Sequence, residues 1–494
     1  MKKPNVLFIM CDQLRYDCIH ELGNKKILTP NIDRLVRRGI TFTNAYSTCP
    51  VCVPARYTIR TGCEPYHTGC YCNEIPKAQD GLPENMDARC GPYLASVMKN
   101  AGYETFGIGK FHTMPEFKED LGYDVQHNIE EMWNDLSERT KDAYASFIAC
   151  KHPEYNYIEQ LHGERTNMYY IPQMSPMPAQ LTSEAFAANL AVEQIHRIKD
   201  KPYFGFVSFI GPHPPCAPPV PFNRLYNPDE MDSASDSDIQ IDYMDEQIPW
   251  MNYLIWADDM NDFLCRSVKS RYYGEITYID QCIGEILDAV EARADADNTV
   301  IAFFSDHGDH LGDHHAWQKE SYFEASCHIP FLLSWPKQWD KQTDDQLICL
   351  TDLFGIATGA AGCECLRDGH SILDVLAGTE RPRQTLIACY GRPGTPQFKM
   401  MIRREDWKYI FMANGNREQL FSLKDNAGET KLYNELEPKL CAQLRHCAET
   451  FCDQSGLLHA LNPDKTLKIF DFTPRPLMRI HQFDASSGVF DFGG

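Results

Sequence analysis

Pro4-Asn5-Val6-Leu7-Phe8-Ile9-Met10-Cys11-Asp12-Gln13 stands near the start of a chain of 494 residues. Its apolar run, Val6 to Met10, is continuous rather than alternating, and it ends at polar Asp12-Gln13. A strand buried on both faces of a parallel sheet has this pattern, and in open α/β sheets ligands bind at the carboxyl ends of such strands. Two lysines before the run and a cysteine after it imitate a lipoprotein leader, but the run is shorter than the ~7–15 residues of a leader's apolar region. No other window reaches the ~18 apolar residues of a membrane span, so no membrane partner is predicted.

Reading outward, Thr29-Pro30 predicts a helix start, with Thr29 as cap, Pro30 in the first turn, Ile32, Leu35 and Val36 as its apolar stripe and Gly39 as its stop. A strand from Ile40 to Tyr46 follows. A helix through Leu94, Val97, Met98 and Ala101 precedes a strand, Thr105 to Ile108, that leads into Gly109-Lys110-Phe111-His112. The strand Tyr203 to Ile210 leads into Gly211-Pro212-His213-Pro214-Pro215. Apolar residues at spacings of three and four from Ile276 to Val290 predict a helix before the strand Thr299 to Phe304, which delivers Ser305-Asp306-His307-Gly308. Strands alternating with helices predict an α/β fold, a large mostly parallel sheet sandwiched by helices. Past residue 380 the pattern becomes hairpin-like, with strands at Lys399–Arg403, Trp407–Met412 and Gln419–Leu423, then a helix near Glu435–Cys452 and a tail. The expected organisation is a catalytic domain over 1–380 and a smaller antiparallel subdomain with tail over 381–494.

Within the first domain, 229–262 forms an insert. It is acidic at Asp229, Glu230, Asp232, Asp236, Asp238, Asp242, Asp245 and Glu246, then aromatic at Trp250, Tyr253 and Trp256. It reads either as a solvated excursion or as a lid that sets ligand preference, since Trp and Tyr faces and carboxylates attract a quaternary ammonium such as choline.

The chain carries 47 Lys+Arg against 69 Asp+Glu, a net charge of −22. That balance excludes nucleic acid and anionic membrane surfaces as partners, since both need a basic face. An anionic substrate must therefore meet positive charge concentrated in the site. Twenty cysteines fall well below the density of a disulfide scaffold, and free thiols in a reducing cytoplasm are expected.

Cys49-Pro50-Val51-Cys52-Val53-Pro54-Ala55-Arg56, followed by Thr61-Gly62, admits two readings. Cys49 and Cys52 form a C-x-x-C, a redox dithiol or half of a zinc site. Alternatively, Cys52-x-Pro54-x-Arg56 with Thr61-Gly62 resembles the signature of the type I, formylglycine-dependent sulfatases of the alkaline-phosphatase-like superfamily. The resemblance extends through Pro4 to Asp12, Thr29-Pro30-Asn31-Ile32-Asp33-Arg34-Leu35, Gly109-Lys110-Phe111-His112, Asp306-His307-Gly308, Leu311-Gly312, Trp317, Lys319 and Trp407-Lys408-Tyr409, in the family's order.

The resemblance implies a sulfatase acting on the sulfate monoester of a small organic molecule or sugar. Cys52, converted to formylglycine by a maturation enzyme, would supply a geminal diol as nucleophile. Asp12, Gln13, Asp306 and His307, with Cys52, would hold a divalent metal, with Ca²⁺ the first choice and Mn²⁺ or Mg²⁺ the alternatives. Gln13 stands where many sulfatases have Asp, a pattern shared with choline sulfatases and phosphonate monoester hydrolases; phosphonate monoester or phosphodiester hydrolysis at the same site is the alternative activity. The chemistry also calls for these residue types on its own terms. Displacement at a tetrahedral anion needs a nucleophile, charge neutralisation and a proton for the leaving oxygen. Arg56 would hold the diol, Lys110 and Lys319 would pair with non-bridging oxygens, His112 would orient or deprotonate the nucleophile, and His213 would protonate the leaving alcohol. Asn73, His310 and Trp317 are expected substrate contacts.

Overall fold

The computed structural model of the chain describes residues 2–74, 85–114, 117, 119–130, 138–156, 170–235, 239, 243–363, 365 and 367–479. Strands β1 (Asn5–Cys11), β2 (Ile40–Tyr46), β3 (Glu104–Gly109), β4 (Val125–Asn128), β5 (Tyr203–Phe209), β6 (Thr299–Ser305), β7 (Phe331–Ser334) and β8 (Gln342–Cys349) form one sheet in the order β4-β3-β5-β1-β6-β7-β2-β8. Neighbours are parallel except β7, which runs antiparallel to β6 and β2. Strand β1 lies near the middle, and its residues alternate between two cores. Leu7, Ile9 and Cys11 enter one, Val6, Phe8 and Met10 the other. Both faces being covered explains why the run is apolar throughout.

Among the helices are α1 (Ile32–Arg38), α2 (Cys52–Thr61), α3 (Leu94–Asn100), α4 (Ser183–Arg197), α5 (Gln247–Leu254), α6 (Asp262–Glu291), α7 (Asp352–Ala360) and α8 (Pro438–Gln454). Helices α1, α4 and α6 pack on the face of Leu7 and Ile9; α2, α3 and α7 pack on the opposite face. A polar group introduced at Phe8, buried edge-on between Phe204 and Phe304, would forfeit roughly 1.5–3 kcal/mol of burial before any desolvation cost.

Helix α1 starts later than its sequence predicts. Asp280 of α6 accepts from the N–H groups of Asn31 at 3.0 Å and Ile32 at 2.7 Å, so a carboxylate from a neighbouring helix supplies the cap assigned to Thr29. The Thr29 hydroxyl instead donates to Asp33 Oδ1. Helix α6 in turn begins at Asp262, well before the apolar stripe predicts, because Asn261 caps it through Leu264 N at 3.0 Å.

A second, antiparallel sheet has the order β12-β11-β10-β9, made of β9 (Thr385–Tyr390), β10 (Lys399–Arg404), β11 (Trp407–Met412) and β12 (Arg417–Ser422). One face packs on α8 through Met400, Ile402, Tyr409 and Phe411. The other meets Tyr322, Phe323 and Cys327 of the large domain. Across this junction the fully buried Lys408 ammonium lies between Glu429 and Glu324, the latter at 2.8 Å.

The insert's rings face cations from the chain's own tail. The Arg475 guanidinium lies 3.5 Å from the Trp250 ring centre, and Arg479 lies 3.7 Å from Tyr253 and 4.3 Å from Trp256. Arg479 also pairs with Asp258 at 2.6 Å. Asp236, Asp238 and Asp242, and tail residues 480–494, lie outside the described residues. Among the described residues no helix is long and apolar enough to cross a membrane.

Candidate active site

The site forms along the carboxyl edge of four neighbouring strands, β3-β5-β1-β6. Cys11 pairs with Ser305 and with Phe209, so the residues that follow, Asp12 after β1 and Asp306 after β6, emerge side by side. Gly109 pairs with Ser208 and places Lys110 two strands away. Gly109 has φ 110°, and a Cβ there would sit 1.9 Å from the Ser208 carbonyl oxygen, so only glycine permits the approach that points Lys110 inward. Helix α2 closes the cluster from one side. All ten of its residues are buried, Pro54 occupies its first turn where no N–H is needed, and Gly62 ends it in the left-handed conformation.

At the first turn of α2, Cys52 Sγ lies 3.1 Å from His307 Nε2 and 3.9 Å from Asp12 Oδ1. His307 Nε2 lies 3.7 Å from Asp12 Oδ1 and 3.7 Å from Asp306 Oδ1. These four donors all lie within 4.8 Å of one another, and all are buried. Lys110 Nζ donates to Asp12 Oδ2 at 2.5 Å, and Arg56 Nη2 bridges Asp12 at 2.9 Å and Asp306 at 3.2 Å. Burial works to raise the Asp12 carboxyl, but the Lys110 ammonium, with His213, Arg56 and His307, holds it well below the usual range. Burial holds His307 below its ordinary value despite the Asp306 charge. Its Nδ1 faces the Gly308 carbonyl at 3.1 Å, so a proton on Nδ1 leaves the Nε2 lone pair aimed at the cluster.

This donor set fits a divalent cation. Asp306 Oδ2 is buried with the Arg56 guanidinium at 3.2 Å as its ionic neighbour, and two carboxylates converge with a neutral imidazole nitrogen and with the Cys52 Sγ. Gln13 joins through its backbone N–H, which donates to Asp306 Oδ1 at 3.1 Å. Its side-chain oxygen accepts from Lys319 Nζ at 2.7 Å, while its Nε2 donates to Asp309 Oδ2 at 2.5 Å. Lys319 Nζ is also 2.8 Å from His213 Nε2, and His213 Nδ1 is 2.8 Å from the Pro214 carbonyl. Gln13, Gln318 and Glu320 adopt φ of 68°, 67° and 76°, so the residues flanking Lys319 and the one binding it are held in the strained left-handed region.

His112 lies at the same edge, with φ 49° and its N–H held by Glu130 Oε2 at 3.1 Å. Other expected contacts lie behind the site. Trp317 is 3% exposed and packs on Tyr170 with ring centres 4.5 Å apart. His310 is fully buried, with Nε2 2.8 Å from Ser321 Oγ, and burial holds it well below its ordinary value. Asn73 accepts from Val53 N at 3.0 Å, so in this structure it caps the first turn of α2. The motifs did not reveal Glu130, Ser208, Tyr170 or Asp309. Ser208 accepts from Arg56 at 2.9 Å, and Tyr170 donates to Asp309 at 2.6 Å. A buried carboxylate at a strand end was the one available signal, at Glu130, and nothing in the sequence separated it from its neighbours.

The two thiols of the C-x-x-C serve different surroundings. Cys49 Sγ faces the Tyr71 carbonyl at 3.5 Å within an apolar cluster, and burial raises its thiol well above the ordinary value. Burial, with Asp12, pushes Cys52 up to about 11. A redox dithiol needs a lowered pKa, and neither has one.

Residues 4–363 match the sequence model of the family described as Sulfatase. An arylsulfatase of Clostridium perfringens is 28% identical, covering 94% of this chain and 99% of that protein. A choline-sulfatase of Rhizobium meliloti is 29% identical over 85% of this chain and 80% of that protein. The crystal structure of a phosphonate monoester hydrolase of Agrobacterium radiobacter superposes with a TM-score of 0.76 at 21% identity, covering 92% of this chain and 96% of that one.

Proposed function

We propose, for a chain that belongs to the sulfatase family and is a sulfuric ester hydrolase, that Cys52 marks the nucleophile position and that Asp12, Asp306 and His307, with Gln13, hold a divalent metal against it. The convergence of Cys52 Sγ with His307 Nε2, Asp12 Oδ1 and Asp306 Oδ1 at the first turn of a buried helix carries this reading. Cys52 matured to formylglycine would supply a hydrated aldehyde whose hydroxyl can attack sulfur. A bound Ca²⁺, or Mn²⁺ or Mg²⁺, would supply Lewis-acid polarisation of the sulfuryl oxygens.

The protein's own groups do the remainder. Arg56, fixed by Ser208 and the two aspartates, holds positive charge behind residue 52. Lys110, fully buried, and Lys319, 6% exposed, neutralise non-bridging oxygens where low solvent exposure makes each contact worth more than in solution. His213, fixed on Nδ1 by Pro214, presents Nε2 beside the Lys319 ammonium; as the imidazolium, protonated on both nitrogens, it delivers the Nε2 proton that the leaving alkoxide takes as the ester S–O bond breaks. His112 orients the nucleophile. The nineteen cysteines other than Cys52 are free thiols and support a reducing cytoplasm, and with it a small imported ester as substrate.

The test has two parts. Peptide mass spectrometry on protein coexpressed with a sulfatase-maturation enzyme should find the aldehyde at residue 52. Initial rates should favour 4-nitrophenyl sulfate over a phenyl phosphonate monoester; the reverse order would assign the phosphonate activity instead.

A further inference from the structure

Beside the reactive centre lies a cavity of about 570 Å³, a size suited to a ring-sized organic group. Its walls come from segments distant in sequence: the stretch after α2 at Asn73 and Glu74, Glu320, the loop after β9 at Tyr390 and Arg392, Trp250 of the insert and Arg475 of the tail. Two of these are joined directly to the site. Asn73 holds the N–H of Val53, next to Cys52, and Glu320 follows Lys319 and donates its N–H to Pro50 O at 3.1 Å.

The cavity's charges are arranged rather than scattered. Glu320 is 8% exposed, and its Oε2 accepts from Tyr390 OH at 2.8 Å and from Gln247 Nε2, so its charge is consumed inside the wall. The same Gln247 amide accepts from Arg475 on its Oε1, and the guanidinium lies 3.5 Å from the Trp250 ring centre. The Tyr390 ring already faces the Lys399 ammonium at 4.6 Å. Cations of the chain itself therefore stand against two of the three rings in the wall, Trp250 and Tyr390, and the third, Tyr71, is 7% exposed. Two guanidiniums, Arg475 and Arg392, line the space, the second with the exposed Glu74 carboxylate 3.8 Å from one of its nitrogens, and a planar fork recognises a carboxylate or sulfate through paired hydrogen bonds.

We infer that this cavity is the leaving-group subsite and that it takes an acidic sugar, a sulfated saccharide bearing a carboxylate or a second sulfate that Arg392 and Arg475 bind. The inference rests on the sulfatase reading. It also assigns a role to the C-terminal strap, which brings Arg475 to the site.

The experiment compares kcat/KM of the formylglycine-bearing full-length chain on a hexuronic acid O-sulfate, the matching neutral hexose O-sulfate and choline sulfate, with 4-nitrophenyl sulfate as reference. The acidic ester should exceed the neutral one by about tenfold or more, as a charge-assisted pair of ~1.5–3 kcal/mol implies, and should exceed choline sulfate by more. In Arg475→Gln and, independently of the tail, in Arg392→Gln, the acidic-to-neutral ratio should fall toward one through KM. Arg475→Lys should restore only part of it. A wild-type ratio near one, a preference for choline sulfate, or a ratio that survives both substitutions overturns the inference while leaving the sulfatase reading intact. Failure to hydrolyse any of the four esters overturns both.

Discussion

Replacing Glu130 by Gln isolates a carboxylate that holds the loop after β3. Glu130 is 5% exposed and accepts from Phe111 N at 3.0 Å and His112 N at 3.1 Å. Its own N–H donates to Asp142 Oδ2 at 2.7 Å, so its backbone stays anchored when the side chain changes. Gln keeps one acceptor oxygen but turns an NH₂ toward the second backbone donor. One charge-assisted hydrogen bond, about 1.5–3 kcal/mol, is lost. His112 sits at φ 49°, a conformation that costs of order 1–3 kcal/mol and relaxes once its N–H is released. Lys110 and His112 are on that loop, so the loss falls on the reacting geometry. At about 1.4 kcal/mol per factor of ten, kcat should drop about 10- to 100-fold with a smaller change in KM. Burial raises the Glu130 carboxyl despite the bonds from Phe111 and the charges of Arg56 and Lys110, so protonation releases the loop as pH falls. The acid limb of kcat that belongs to this group should vanish in Glu130→Gln. Rates on 4-nitrophenyl sulfate across pH, with thermal unfolding followed in parallel, make the measurement. A lowered melting temperature accompanied by unchanged kcat and an unchanged acid limb would refute the positioning role.

Cys49→Ala should keep most sulfatase activity and Cys52→Ala should abolish it; equal loss in both, measured on aryl sulfate, would return the dithiol reading. Prolonged chelation should remove activity and lower the melting temperature, because Asp12 and Asp306 then face each other with Arg56 and Lys110 as their remaining counter-charges, and readdition of Ca²⁺, Mn²⁺ or Mg²⁺ should restore both, ranking the three metals. Glu64 is buried on Thr48 Oγ1 at 2.7 Å, and burial raises its carboxyl to about 8. The unfolded chain ionises this group near ~4.3, so the folded state loses stability as pH climbs from there to about 8, by roughly 3–5 kcal/mol. Glu64→Gln should flatten the fall in melting temperature between pH 5 and 8, and an unchanged slope would show that the carboxyl is not a source of it.

The residues carried by strand ends were legible because one physical rule places them. A continuous apolar run must be a strand covered on both faces, and its first polar residue must then sit at the sheet's carboxyl edge. Asp12, Lys110, His213 and Asp306 all follow such runs, and β1 pairing with both β5 and β6 brings them together. What escaped the sequence is what depends on elements packing across one another. Asp280 caps α1 from a helix about 250 positions away, as the 249- and 248-residue separations of its bonds show. Glu130 sits past a weakly apolar edge strand and acts only because that strand runs parallel to β3. The aromatic insert was the sharpest divergence. Trp250, Tyr253 and Trp256 predict a site for a cation, and cations do occupy them, but they are Arg475 and Arg479 of the same chain. Composition identifies a surface that attracts positive charge; only the path of the tail decides whether that surface is left open for a substrate. Here the path of the tail sets Arg475 and Arg479 against the rings of the insert, and the acidic leaving group inferred above rests on that placement.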